Sequence, residues 1–359
     1  MYLQKLILNN FKNHLEFSTD FSEHCNCILG ENGAGKTSLI DAIYFLSLTK
    51  SSLSNQEALC INHNQEYFMI SGEFIRNEKN DEVICSLQRG HRKAILIDKK
   101  PIERISDHIG NYPVVLMAPH DTDIVRESAE ARRKFFDGVI SQIDAEYFQN
   151  LLQHNRLLLQ RNSLLKQFAD RNYYDEPLLD VYSEPLLEKA LIINKARESF
   201  LAKYLPIFQK HYAALSENRE IVAIYYESEV GDGEFSIQFS NNYKQDVAAS
   251  RTLKGIHKDD YTFEIDSFTL RKFGSQGQQK AFAMALKLAQ FELITQEKSQ
   301  KPILLMDDIF DKLDDRRIQM LIDMIENKVF GQVFITDARP ERSKKLLENI
   351  SEGVNYVLM

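Results

Sequence analysis

The sequence predicts an α/β fold: a mixed sheet with a phosphate-binding loop and helix, assembled from both ends of the chain, and a mainly helical lobe inserted between them. Three observations predict it. Short β-prone runs crowd the first 118 residues and return after residue 221, and nearly everything between is helix-prone. The run Gly30-Glu31-Asn32-Gly33-Ala34-Gly35-Lys36-Thr37 joins an apolar strand pattern to a helix pattern. Residues 1–118 and 221–359 therefore read as two halves of one domain, and 119–220 as the lobe.

Each element has its own signal. KLILNNF, LEF and CNCILG are short β-prone runs, the last ending on glycine. SLIDAIYFLSL repeats Leu39, Ile43 and Leu46 at helical spacing. YFMISGEFI, EVICSLQ, KAILID and YPVVLMA predict a curled antiparallel segment. In the lobe, Leu151, Leu158 and Leu165 fall at heptad spacing beside Leu152 and Leu159, with Asn155 and Asn162 in the same stripe. About three heptads suit helices packing on one another better than an extended coiled coil. The β pattern then resumes in NREIVAIYYE, IQF and YTFEI, and PILLMDD and QVFITD give two fully apolar short strands.

Composition bounds the function. With 43% hydrophobic and 27% charged residues among 359, the chain is an ordinary globular protein of one large or two smaller domains. A net charge of −8 argues against a surface that attracts nucleic acid everywhere, so any such contact is a local patch. No apolar run nears the roughly 20 residues needed to span a bilayer, and the start lacks a signal-peptide core; a cytosolic protein without membrane contact is expected. Cys25, Cys27, Cys60 and Cys85 form no C-x-x-C pair, which points to reduced core thiols rather than zinc.

Three motifs carry chemistry. The glycines of residues 30–37 let the backbone close around phosphates, Lys36 reaches the terminal phosphates, and Thr37 offers its hydroxyl to Mg²⁺, with Ser38 beside it in the nucleotide-binding set. ILLMDD ends an apolar strand in Asp307, a ligand for Mg²⁺, and Asp308, placed to orient an attacking water. FGSQGQQK starts a long helix with Ser275, Gly277 and Gln278, either an anion-binding turn or an ordinary cap.

The order phosphate loop, Ser-x-Gly-Gln helix start, strand with Asp-Asp resembles ATPases of the ABC and SMC superfamily, in which one subunit's signature helix closes over nucleotide held by another. LILNNFKNH, APHDTDIV, ARRKFFD, QRNSLLK, GIHKDD, FGSQGQQK and LLMDDIFDKLD, in that order, resemble the RecF family. The resemblance implies an ABC/SMC-like ATPase head, ATP and Mg²⁺, slow hydrolysis with ATP-dependent homodimers, double-stranded DNA or single/double-strand junctions as ligand, RecO and RecR as partners, and a bacterial cytoplasmic setting. It implies roles for Lys36, Gln278 and Asp308 in catalysis, Ser275 and Gly277 in closing on nucleotide, Asp314 in a dimer-contact loop, and Lys12 and Asn13 near the nucleotide. Glu127-Ser128-Ala129, IFDKLD and Asp337 depart from the family pattern, and HKDD (residues 257–260) fits it without an evident mechanism. An aspartate at 308 is one methylene shorter than the glutamate usual at ABC sites, which suits slow turnover and a switch.

Cation clusters suggest where DNA would lie: Arg89, Arg92 and Lys93, then Arg132, Arg133 and Lys134, with Arg156 and Arg161 beside the leucine stripe. A transporter motor, an SMC-type organiser and a small-molecule kinase stay open at this point. The first two fit the roughly 100-residue helical insertion poorly, and a kinase leaves the second helix start and the Asp-Asp pair without a purpose.

Overall fold

A computed structural model describes every residue except 77, 172, 232, 312, 351 and 352; Lys312 of the IFDKLD stretch is thus outside the described residues. In chain order the elements are β1 (Tyr2–Phe11), β2 (His14–Asp20), β3 (Cys25–Leu29), α1 (Lys36–Leu48), β4 (Tyr67–Arg76), β5 (Lys79–Gln88), β6 (Ala94–Ile97), β7 (Lys100–Pro101) and β8 (Val114–Met117). There follow α2 (Asp123–Arg126), α3 (Ala129–Ile143), α4 (Ala145–Arg171), α5 (Glu176–Ser216), β9 (Val222–Glu227), α6 (Phe235–Asn241) and α7 (Tyr243–Ala248). Last come β10 (Asp260–Ile265), β11 (Phe268–Thr269), α8 (Leu270–Phe273), α9 (Gln276–Lys298), β12 (Ile303–Asp307), α10 (Asp315–Glu326), β13 (Val333–Asp337), α11 (Pro340–Leu346) and β14 (Asn355–Leu358).

Two compact units result, Met1–Asp121 with Leu286–Met359, and Thr122–Ala285. In the first, a parallel sheet of order β14-β3-β13-β12-β8 takes strands from both ends of the chain. Its strands β3, β8, β12 and β13 are buried along their whole length, which is why they read as continuous apolar runs. The antiparallel sheet has order β2-β1-β4-β5-β6-β7, and α1 packs against strands of both sheets. Phe11, Phe45 and Phe68 meet edge to face there, with centroids 5.3–6.1 Å apart. The Gln332 side-chain amide bonds both the N–H and the C=O of Leu3, at 2.7 and 2.8 Å. The four cysteines are buried free thiols, and burial pushes Cys25, Cys27 and Cys85 up to about 12.

Two strand expectations need correction. YPVVLMA was expected beside the antiparallel strands, yet β8 pairs in parallel with β12, Val114 opposite Ile303; its unbroken apolar run suits a strand covered on both faces. IQF is not a strand: residues 237–239 lie in α6, whose buried residues are Phe235 and Phe239, one helical turn apart.

In the second unit α5 packs on α4 and on β9, and β9, β10 and β11 form a small antiparallel sheet. Residues 222–285, which the sequence assigns to the C-terminal half of the ATPase domain, pack here instead. Aromatic burial explains it: the Phe136 ring lies 4.0 Å from Tyr261 and 5.6 Å from Tyr204, and Phe282 lies 4.6 Å from Phe208. The leucine stripe is also different from the expectation. Leu165 is buried, but Leu152 and Leu159 are 46% and 71% exposed. The inward face of α4 carries Tyr147, Asn150, His154, Arg161, Leu165 and Phe168.

Buried arginines in this unit have partners. Arg161 donates to Asp246 at 2.8 Å, to Thr252 at 2.7 Å and to Ser183 at 2.9 Å, with its guanidinium over the Phe239 ring; it is a core residue, not a DNA contact. Arg197 donates to Asp259 at 2.7 Å, to both oxygens of Asp137 at 3.0 Å and to the Ile256 carbonyl at 3.1 Å. Asp260 accepts two bonds from Arg132, at 2.7 and 2.9 Å. HKDD thus has a mechanism: its two aspartates tie the turn before β10 to α3 and α5.

Burial holds His154 and His257 down to about 4. Between pH 6.5 and about 4 the unfolded chain binds protons that the folded chain refuses, so stability is full above pH 6.5 and falls as pH drops. Going from pH 7 to pH 5 is expected to remove about 2 kcal/mol through His154 alone. Urea midpoints at the two pH values measure this, and a higher midpoint at pH 5 would contradict it. Among the described residues, no helix is long and apolar enough to cross a membrane.

Candidate nucleotide-binding site

The loop after β3 bends because Gly33 and Gly35 adopt φ of 87° and 108°, a region closed to most side chains. Gly35 then caps α1, so the first free N–H groups of that helix point into the loop. Glu31, Asn32 and Gly33 are exposed, Ala34, Thr37 and Ser38 half-buried. Close packing explains Gly30, where a Cβ would sit 3.1 Å from the Met359 carbonyl. The Lys36 ammonium folds back over the loop, donating to the carbonyls of Gly30 at 2.7 Å and Glu31 at 2.9 Å. A phosphate oxygen is a stronger acceptor than either carbonyl.

Thr37 and Asp307, 270 residues apart in sequence, meet at this loop: the threonine hydroxyl donates to Asp307 Oδ1 at 3.1 Å. Thr336 donates to the same oxygen at 2.7 Å. Asp308 follows with φ 49°, a left-handed conformation that aspartate tolerates better than most residues, and its N–H donates to Thr336 Oγ1 at 2.9 Å. The departure Asp337 is buried and structural, accepting from the Arg339 N–H at 3.0 Å and from the Ser343 hydroxyl.

The β1–β2 turn leans on the same loop and divides the expected pair. Lys12 is held by buried Asp41 at 2.6 Å, and Asp41 also accepts from Ser51 and Ser52; the lysine is therefore engaged with α1 rather than free for a nucleotide. Asn13 does stand against the loop, since a Cβ on Gly35 would lie 2.6 Å from its amide nitrogen. His14, which the sequence reading missed, is 8% exposed with Nε2 3.2 Å from the Gly35 carbonyl. Burial lowers its pKa, so at neutral pH it has one N–H; a carbonyl only accepts, which puts that hydrogen on Nε2. His14→Phe keeps the ring and loses the donor. Losing a net bond of about 1 kcal/mol is expected to weaken nucleotide binding roughly five- to tenfold. Titration with a fluorescent ATP analogue measures it, and unchanged affinity would count against the tether.

The signature turn belongs to the second unit. Ser275 and Gln278 form a reciprocal cap: the Gln278 N–H donates to Ser275 Oγ at 3.2 Å, and the Ser275 N–H to Gln278 Oε1 at 2.7 Å. Gln278 Nε2 donates further to Glu220 at 2.8 Å. Its amide is thus engaged in shaping the turn; Ser275, Gln276 and Gly277 are exposed. Asp314 caps α10, accepting from the Arg317 N–H at 3.0 Å.

A family model described as an AAA ATPase domain matches residues 1–309. The DNA replication and repair protein RecF of Flavobacterium johnsoniae is 43% identical over 349 residues, covering 97% of each chain. The chain belongs to the RecF family. A solved structure of the recombination mediator protein RecF with ATP, of the RecFOR pathway, matches with TM-score 0.87 and 30% identity over 94% of this chain and 92% of that one. The Smc head domain of Pyrococcus furiosus matches at TM-score 0.55 and 18% identity over 99% and 93%, a likeness of fold alone.

Within this chain the cation clusters are not uniformly available. Lys93 bonds Thr49 and Glu57 and lies over the Phe45 ring, and Arg132 is committed to Asp260; neither is free for a phosphate backbone, because local partners already neutralise or bury them. Arg92 is exposed, Arg89 is half-exposed near Glu66 at 3.8 Å, and Lys134 pairs on the surface with Glu130. Arg133 donates to the Asp259 carbonyl at 2.6 Å and has no carboxylate partner among the described residues.

Proposed function

We propose that this chain is an ATP-dependent DNA-binding protein of recombinational repair, whose slow ATPase times association on DNA. The observation that carries it is the contact of Thr37 with Asp307 beneath the Lys36 loop, in a chain of the RecF family. Two oxygens of these types so close together suit a hard cation, and Thr37 and Asp307 are the residues that would hold Mg²⁺, which supplies charge neutralisation at the phosphates. The loop amides and Lys36 bind the phosphates. The Asp308 carboxylate accepts a proton from water as it attacks the terminal phosphorus, and the bond from that phosphorus to the bridging oxygen breaks, giving ADP and phosphate.

Association of two copies is the second part of the reading. The turn at Ser275 to Gly277 is solvent-facing and flanked by Phe273, 68% exposed, and Phe268, 59% exposed. Such a surface suits closure on nucleotide carried by another copy. The partner DNA is double-stranded or a single/double-strand junction, RecO and RecR are the expected co-workers, and the setting is the bacterial cytoplasm. Sedimentation with a non-hydrolysable ATP analogue, with ADP and without nucleotide, each with and without duplex DNA, tests it. A dimer with the analogue is expected; a particle that stays monomeric under every condition overturns the reading.

A further inference from the structure

We propose that a cavity in the second unit, walled by α3, α4, α5 and residues 256–257, is an oxyanion site that takes a phosphate group. The cavity holds about 180 Å³, enough for a phosphate and accompanying water. Two imidazoles line it, each with a nitrogen that takes no hydrogen bond among the described residues. His154 is 2% exposed; its Nδ1 lies 3.4 Å from Asn155 Oδ1, its one hydrogen bond among the described residues. His257 bonds the Thr252 carbonyl through Nε2 at 3.1 Å, and its buried Nδ1 has no partner. The two rings are 6.5 Å apart. Arg133, on the same wall, has N–H groups beyond the one given to the Asp259 carbonyl.

Charge decides between ligand classes. Burial is the main cause that holds both histidines down; Arg197 adds to it at His154, and Lys258 with Arg133 adds to it at His257 against a weaker opposing pull from Asp246, so cations outweigh acids among the charges these rings feel. The acids of α3 have cations of their own, Glu130 with Lys134 at 2.8 Å and Asp137 with Arg197 at 3.0 Å. A metal ion would meet Arg133 and Arg197, and an apolar ligand would leave the imidazole nitrogens unpaired. A phosphate group accepts from Arg133, while a proton, carried by the phosphate or taken up by an imidazole, lies between its oxygen and His154 Nε2. Phosphate binding should therefore tighten as pH falls.

The source is a free phosphate or a phosphate of nucleic acid, and only the second rests on the DNA-binding reading above. The test uses full-length protein labelled at histidine, with saturating ADP to occupy the phosphate loop, and follows the His154 and His257 imidazole signals, assigned with single His→Phe variants. Inorganic phosphate is expected to shift both, with affinity rising about tenfold from pH 7.5 to 6.0 and falling at least tenfold in Arg133→Gln. A short duplex that moves the same signals identifies nucleic acid as the source. One that binds without moving them, while inorganic phosphate does, identifies a free anion. If phosphate leaves both imidazoles unmoved, or Arg133→Gln responds like wild type, the site does not exist, whatever the duplex does.

Discussion

Asp308→Asn is expected to lower ATP turnover by roughly 10²–10⁴-fold, the usual worth of a positioned general base, while nucleotide-dependent association persists. The asparagine has the same shape and keeps the backbone N–H that donates to Thr336. It also tolerates the left-handed φ of 49°. What it loses is a carboxylate that can accept a proton. The neighbouring Asp307 is left with both its hydroxyl donors, Thr37 and Thr336, so the groups proposed to hold the phosphates and cation stay in place. Single-turnover phosphate release and sedimentation, run on the same preparation, separate the two effects. Turnover equal to wild type would remove Asp308 from the chemistry, and loss of association together with turnover would mean that the substitution had disturbed the whole site.

Much of the first unit was legible because its signals are backbone signals. Positive-φ glycines, unbroken apolar strands and a helix buried all round leave a pattern in composition alone, and β3, α1, β12 and β13 fall where that pattern puts them. The second unit was harder for a physical reason. Its interior face on α4 mixes polar with apolar groups: Asn150, His154 and Arg161 are buried beside Tyr147, Leu165 and Phe168, and Arg161 is received by a partner far away in sequence, Asp246, 85 residues on. A reading that looks for apolar periodicity selects Leu151, Leu158 and Leu165, of which Leu165 is buried and the other two half-buried, and beside them Leu152 and Leu159, which are exposed. The same blindness made Lys12, Lys93 and Arg132 look available, since a cation's partner is invisible until the chain folds. His14 carried no motif; only its placement beside Gly35, where a Cβ would come within 2.6 Å of the ring, gives it a role.

Arg197→Met should strongly destabilise the second unit. The methionine fills similar apolar volume but removes the cation shared by Asp137 and Asp259, of which Asp259 is 1% exposed in its side chain. Removing one partner of a buried pair leaves an uncompensated charge and costs about 3–5 kcal/mol, a large part of the 5–15 kcal/mol by which folded domains are typically stable. A fall in melting temperature of about 10 °C or more is expected. By contrast Lys134→Ala, which breaks the exposed pair with Glu130, should change stability by less than about 0.5 kcal/mol. pH supplies a sharper check. Burial already pushes the Asp259 carboxyl up in the presence of Arg197, and without that cation it rises further. As pH falls from 7 to 5, Asp259 can take a proton and become neutral in the variant, so the gap between variant and wild type should narrow even though both are weakened by their histidines. Asp259→Asn added to Arg197→Met should recover part of the loss by removing the stranded charge, making the two changes non-additive. A gap that widens toward pH 5, or a double variant no more stable than Arg197→Met, would mean that this arginine holds the unit together by packing rather than by charge.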